Sequence, residues 1–195
     1  MQLVLASTSS YRKALLDRLR LNFVTANPSI DETPLAGEPP EQLAKRLALA
    51  KAKAVADSYP DALIIGSDQV AVVQGQILGK PGTRDGAQAQ LEAASGKNVC
   101  FLTSLCLYNS RSKNYQLGLI PFQVVFRDLS QSQIRRYIEL DNPLDCAGSF
   151  KWEQTGIVLF KSMQGSDVTS LQGLPLITLT DMLLREGVSP LEEPH

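Results

Sequence analysis

The first apolar run of the chain, Gln2–Ala6, stops at Ser7-Thr8-Ser9-Ser10, after which Leu15, Leu16 and Leu19 recur at helical spacing as far as Arg20. This pattern predicts a strand, a tight turn and a helix. Ser9 or Ser10 is the natural N-cap, and the turn aims several backbone N–H groups at one point. A second strand is predicted at residues 23–26. It leads into a polar, proline-bearing stretch, residues 27–40, which carries Asp31 and Glu32. Loops of that length in compact domains are usually functional or disordered. Pro40 then opens a helix from Glu41 to about Ser58, with Leu43, Leu47, Ala50 and Ala54 as its apolar stripe and Lys45, Arg46, Lys51 and Lys53 around it.

Residues 62–66, Ala-Leu-Ile-Ile-Gly, are apolar throughout, as in a strand covered on both faces, and this strand is expected to deliver Ser67, Asp68 and Gln69 at its end. Val70 to Val73, Gln74-Gly75-Gln76 and then Ile77-Leu78 predict a hairpin that ends in Gly79-Lys80-Pro81-Gly82. A helix follows over residues 83–94. Two long strand-like stretches, 98–108 and 115–126, flank a polar turn and read as an antiparallel pair. Helix returns at 130–140, capped by Ser130 or Ser132. An irregular segment occupies 141–153, a strand is predicted at 156–160, and a closing helix spans 175–186 after Gly173-Leu174. Helices and strands mix without strict βαβ alternation, so the expected class is α/β, with a mixed sheet and flanking helices rather than a doubly wound fold.

At 195 residues, 44% of them hydrophobic, the chain is long enough for one domain, of one or two lobes, whose core needs no disulfides. Lysine and arginine number 19 against 20 acidic residues, so no global field draws the protein onto nucleic acid or an anionic membrane, and any polyanion must be met locally. The one histidine is the last residue, His195, where a chain is usually frayed. Ser-His-Asp triads, Cys-His dyads and histidine-rich zinc sites are thereby excluded. Cys100, Cys106 and Cys146 are an odd number without C-x-x-C spacing and read as buried thiols of a reducing compartment. Residues 1–13 place no basic segment ahead of their apolar run, and no stretch of about 18 apolar residues occurs. A cytoplasmic, soluble protein is expected.

Four constellations carry candidate chemistry. In Ser7-Thr-Ser-Ser-Tyr-Arg-Lys13 a strand enters a helix through small hydroxyl residues, with Arg12 and Lys13 in the first turn. Such a turn resembles a phosphate cradle, and a plain N-cap with two solvated cations is the alternative. Cations at the positive end of a helix dipole cost stability unless an anion is expected there. Asp68, after a glycine on a buried strand, has the placement of a metal-binding or basic carboxylate. With Asp31-Glu32 it could hold Mg²⁺ through a few oxygens and waters. Gly79-Lys80-Pro81 is not a Walker loop, because the spacing is one residue short and proline replaces the metal-binding hydroxyl. Lys80 still presents a charge from a rigid turn, and with Arg12, Lys13 and Lys51 it makes four cations, against the roughly four negative charges of a nucleoside triphosphate. Lys51 sits at the edge of its apolar stripe, where lysines usually snorkel. The fourth constellation, Cys146-Ala-Gly-Ser-Phe-Lys-Trp-Glu153, reads on its own as a packed loop anchored by Trp152.

Taken in order, Leu5-Ala6-Ser7-Thr8-Ser9-Ser10-Tyr11-Arg12, Asp31-Glu32, Arg46-Leu47-Ala48 with Lys51-Ala52, Ile64-Ile65-Gly66-Ser67-Asp68-Gln69, Gly79-Lys80-Pro81, Cys146-Ala147-Gly148-Ser149-Phe150 and Gly173-Leu174-Pro175-Leu176 resemble the Maf family. The resemblance covers nearly the whole chain, and the ordered set is specific where each piece is not. It implies a metal-dependent nucleoside triphosphate pyrophosphatase with a two-lobed α/β fold similar to that of inosine triphosphatases. It implies Asp68 as proton acceptor, and Ser7, Ser9, Arg12, Lys13, Glu32, Lys51 and Lys80 as the phosphate and metal shell, with Glu32 and Asp68 on Mg²⁺ or Mn²⁺.

Within the family the sequence resembles the YceF-type branch, associated with hydrolysis of 7-methyl-GTP. Tyr11, Gln69 and Glu153 occupy the three positions that separate the branches. The branch often reads Pro-Trp-Arg where this chain has Ser10-Tyr11-Arg12, which removes a preorganising proline and offers a smaller stacking face. The resemblance leaves open a pyrophosphatase for dTTP, UTP or a broad nucleotide set, and a nucleotide-binding regulator of cell division. No stable nucleic-acid or membrane partner is expected, and a homodimer is compatible with the sequence.

Overall fold

In the computed structural model, which describes residues 1–192, the regular elements are β1 (Gln2–Ala6), α1 (Ser10–Asp17), β2 (Phe23–Ala26), α2 (Pro40–Ala54), β3 (Ala62–Val73), β4 (Gln76–Leu78), α3 (Arg84–Ala94), β5 (Asn98–Asn109), β6 (Tyr115–Phe126), α4 (Gln131–Asp141), β7 (Phe160–Gly165) and α5 (Leu176–Arg185). His195 lies outside the described residues. The strands form one sheet in the order β2-β1-β3-β5-β6-β7, with β4 paired to β3. β1 is parallel to β2 and β3, whereas β4 is antiparallel to β3 and β7 to β6. The mixed-sheet α/β class expected from the sequence is the class found.

The chain divides into two compact units. The first contains Met1–Asp68, Thr103–Ile120 and the segment from Asp167 onward, and the second Gln69–Leu102 and Pro121–Ser166. In the first unit, alternate residues of β1 and β3 serve two separate cores. Leu3, Leu5, Leu63 and Ile65 pack with Leu15 and Leu16 of α1 and Leu179, Met182 and Leu183 of α5. Val4, Ala6, Ala62 and Ile64 pack with Ala48 and Ala52 of α2. Burial on both faces is why these strands read as continuous apolar runs. In the second unit Phe101, Phe126, Phe150 and Phe160 meet edge to face, with ring centroids 4.9 to 5.9 Å apart.

Four boundaries differ from the sequence pattern. β3 does not stop at Gly66 but runs on to Val73, so Asp68 lies inside a 12-residue strand. Residues 155–159 form a 3-10 turn, and the strand begins only at Phe160. There the Gly156 amide donates to the Lys151 carbonyl and to Asp141, local bonds that keep the segment out of the sheet and leave Ile157 and Val158 exposed. α1 ends at Asp17, with Arg20 in the left-handed region at φ +56°; α2 ends at Ala54, and a 3-10 turn covers Ala56–Ser58. Of the three cysteines Cys106 alone is buried, where desolvation pushes its pKa up to about 12; Cys100 and Cys146 are half-buried, which corrects the expectation for those two. No helix among the described residues is long and apolar enough to cross a membrane.

Candidate active site

Side-chain alternation along β3 decides what each of its residues meets. Ile64 faces α2, and so does Gly66 two residues on. A Cβ on residue 66 would collide with the Ala48 carbonyl and lie 2.9 Å from the Ala52 nitrogen, so the glycine lets α2 lie directly on the strand. Asp68 follows on the same face, and Lys51, one turn along α2 from Ala48, reaches it: Nζ donates to Asp68 Oδ1 at 2.6 Å. The same ammonium lies 2.8 Å from Glu32 Oε1. Lys51 therefore does not snorkel to solvent; its side chain is 6% exposed, between two carboxylates. β1 pairs with β3 only as far as Leu5 opposite Ile65, so Asp68 projects beyond the carboxyl end of its parallel neighbour. That is where ligands bind in open α/β sheets.

Glu32 belongs to a segment without helix or strand, yet that segment is tied down. Arg46 of α2 grips Glu38 with two parallel bonds, Nε to Oε1 and Nη2 to Oε2, each 2.7 Å, and donates to the Thr33 carbonyl at 3.1 Å. Glu38 Oε2 also accepts from the Leu35 amide, and Asp31 from the Thr33 amide. The Arg46 contact holds the Glu38 carboxyl down to about 2. Pattern reading missed this clamp, since Glu38 and Arg46 lie on either side of a helix boundary where no i,i+4 rule applies.

At the turn after β1, Ser9 is the N-cap and accepts from the Arg12 amide, while Ser7 Oγ accepts from the Ser9 amide. Of the two cations in the first turn, Lys13 is exposed. It pairs with Asp17 at 3.1 Å, and its Nζ lies 5.8 Å from the Phe23 ring centroid. Arg12 instead donates from Nε to the Gly173 carbonyl at 2.8 Å. Burial lowers its pKa, while the charges of Asp68 and Glu32 act in the opposite sense. Tyr11 is half-buried beside it. Burial likewise raises Asp68 above the ordinary aspartate value, with Lys51 and then Arg12 acting against it and Glu32 reinforcing it. Arg12, Glu32, Lys51 and Asp68 thus form one electrostatically coupled set.

Gln69, Lys80 and Glu153 belong to the second unit. Gln69 is half-buried on β3, and Lys80 is exposed on a turn fixed by the Gly82 amide on the Leu144 carbonyl and by Gln90 on the Gly79 carbonyl. Glu153 is exposed, next to Trp152, whose indole Nε1 is buried without a hydrogen-bond partner in the structure.

Among the described residues no three His, Cys, Asp or Glu side chains come together as a metal cluster. The carboxylates of Glu32 and Asp68, converging on one ammonium, nonetheless fit a hard divalent ion of the Mg²⁺ type. Such an ion takes one or two carboxylates and fills its remaining positions with phosphate oxygens and water.

The chain is similar in fold to the Ham1 protein of Staphylococcus aureus, with a TM-score of 0.55 and 14% identity over 95% of this chain and 100% of that one. In sequence it is 59% identical to the 7-methyl-GTP pyrophosphatase of Pseudomonas aeruginosa, over 95% of this chain and 97% of that protein. It is 55% identical to the protein of the same name from Alcanivorax borkumensis, over 95% and 94%. The model of the Maf-like proteins matches residues 2–186, and the chain belongs to that family.

Proposed function

We propose that the protein hydrolyses 7-methyl-GTP to 7-methyl-GMP and pyrophosphate in the cytoplasm with the aid of Mg²⁺ or Mn²⁺. The observation that carries the reading is the buried Lys51 ammonium set between Glu32 and Asp68, with Arg12 coupled to both carboxylates. Relatives named for this activity share 55–59% of their residues with the chain over nearly its whole length. In this mechanism water attacks the α-phosphorus, the bond to the oxygen bridging the α- and β-phosphates breaks, and pyrophosphate leaves. Asp68 takes the proton of the attacking water, and a carboxylate whose pKa is raised by burial is the stronger base for that task. Arg12 and Lys51 stabilise charge on the phosphates, with Ser7 and Ser9 shaping the turn and Lys13 and Lys80 as further phosphate cations. Glu32 and Asp68 would hold the divalent ion, which would supply neutralisation of phosphate charge. Chelation is accordingly expected to abolish turnover and to leave the circular-dichroism melt unchanged, since no histidine or thiolate cluster among the described residues offers a site for a structural ion. A collapse of the melt on chelation contradicts this.

Base choice is assigned to Tyr11, Gln69 and Glu153. Methylation at N7 makes guanine cationic, and a cation favours an aromatic face and a carboxylate. Cation–π contact is worth about 0.5–2 kcal/mol and a charge-assisted hydrogen bond about 1.5–3 kcal/mol. Together they discriminate roughly 30- to several-thousand-fold against a neutral base. Guanine of GTP still donates from N1 and N2 to a carboxylate, so the lower end is expected. A product-resolved assay across 7-methyl-GTP, GTP, UTP and dTTP tests this. The methylated nucleotide should lead, and Glu153→Gln should erase much of the preference while sparing phosphate chemistry. Equal hydrolysis of GTP and 7-methyl-GTP sinks the assignment.

A further inference from the structure

Gly173 closes the 3-10 turn Val168–Gln172 in the left-handed region, at φ +84°. Its carbonyl accepts from two side chains distant in sequence, Arg12 Nε at 2.8 Å and Ser67 Oγ at 2.7 Å; the Ser67 hydroxyl also lies 2.9 Å from the Ser104 carbonyl. A Cβ on residue 173 would lie 2.9 Å from Arg12 Nε, 3.2 Å from Nη2 and 3.4 Å from Cζ, so the guanidinium packs where a side chain would stand. The turn is itself anchored. The buried Asp167 carboxylate accepts from the Thr169 amide at 2.9 Å, the Thr169 hydroxyl at 2.6 Å and the Ile177 amide at 2.8 Å, and Thr169 Oγ1 accepts from the Leu176 amide at 2.9 Å. Leu174 beside it is fully buried.

We propose that Gly173 is a positioning residue for Arg12: its carbonyl fixes the plane of the guanidinium, and its missing side chain provides the space the guanidinium occupies. The inference rests on the reading of Arg12 as a phosphate-binding cation. A planar donor gains geometric specificity only when its orientation is set, and here one N–H is committed to a rigid carbonyl. Ser67, on the face of β3 opposite Asp68, ties the same carbonyl to the strand that carries the base. Ser67 thereby anchors to β3 the carbonyl that Arg12 uses.

The test is a double-mutant cycle with an added spectroscopic readout. Gly173→Ala and Gly173→Asn are each made in the wild type and in Arg12→Ala. In the wild-type background both are expected to lower kcat/KM for pyrophosphate release by about 10²-fold, the scale of an ångström-sized misplacement. In the Arg12→Ala background neither should lower it further. Asparagine tolerates the left-handed conformation, so an effect confined to alanine reflects backbone strain and overturns the proposal, as do equal losses in both backgrounds. The readout independent of turnover is the arginine Nε–Hε spectrum. A slowly exchanging Hε, assigned to Arg12 by its loss in Arg12→Lys, is expected in the wild type and should exchange rapidly in both Gly173 variants. An Arg12 Hε that exchanges rapidly in the wild type overturns the proposal. A wild type inactive on every nucleotide overturns only the functional reading and leaves the Hε result to decide the contact.

Discussion

Asp68→Asn is expected to lower turnover by about 10²–10⁴-fold, the usual worth of general-base catalysis, while nucleotide binding changes far less. The asparagine keeps the shape of the side chain, and Lys51 keeps its contact with Glu32. What disappears is the proposed proton acceptor and one carboxylate of the proposed metal pair. The pH profile supplies an independent readout. Burial raises Asp68 above the ordinary aspartate value of 3.8, and in the proposed mechanism the active form is the carboxylate. Acidification should therefore cut kcat/KM at a higher pH than an exposed aspartate would give. That limb should be missing from the residual activity of the variant. Near-normal turnover, or the same acidic limb in the variant, removes Asp68 from the proton-transfer step.

Asp68 also shows what a sequence reveals and what it hides. The apolar run ending at Gly66 is legible as a strand buried on both faces, and a glycine at its end reads as a stop. In the structure the glycine instead accommodates α2, and the strand continues for seven more residues to Val73. Both situations call for a residue without a side chain, and only the packing of a distant helix separates them. The misplaced strand at 156–160 has a similar origin, because Gly-Ile-Val-Leu-Phe has strand composition whereas the bonds that bend it come from Lys151 and Asp141. β1, β2, β6 and the starts of α3 and α4 were legible because each rests on local signals: an apolar run, a capping Thr83, a capping box at Ser130.

The acidic and basic members of the site could be named from residue types and spacing joined to a family resemblance, but not their pairing. Lys51 at the rim of an amphipathic stripe is indistinguishable by pattern from a snorkelling lysine. Its burial follows from the close approach that Gly66 permits. Glu32 stays near it because Arg46 and Glu38 clamp the loop, and Arg12 is held by a backbone carbonyl, which no side-chain motif reports. Lys13, adjacent to Arg12 and alike in charge, is exposed and lies beside Asp17. Two neighbouring cations thus face different partners, a distinction set by the 100° step of the helix rather than by composition.

Lys51→Ala is expected to have the second large effect, on stability as well as turnover. Removing one partner of a buried ion pair costs about 3–5 kcal/mol, because the remaining charge is left uncompensated. Here that charge is Asp68, since Glu32 is 58% exposed and can turn to water. Turnover should fall by about 10²–10³-fold, the effect of losing one donor to developing charge. With its largest stabilising neighbour gone, Asp68 should titrate at higher pH than in the wild type. The acidic limb therefore moves up in Lys51→Ala, in contrast to its absence in Asp68→Asn. The double variant Lys51→Ala/Asp68→Asn separates a buried pair from a surface contact. It should be more stable to urea than Lys51→Ala alone, because the second change removes the orphaned charge that the first creates. If Lys51→Ala only raises KM, with the limb and the urea midpoint unmoved, the ammonium is a solvent-facing phosphate contact and the pair with Asp68 does not govern the base.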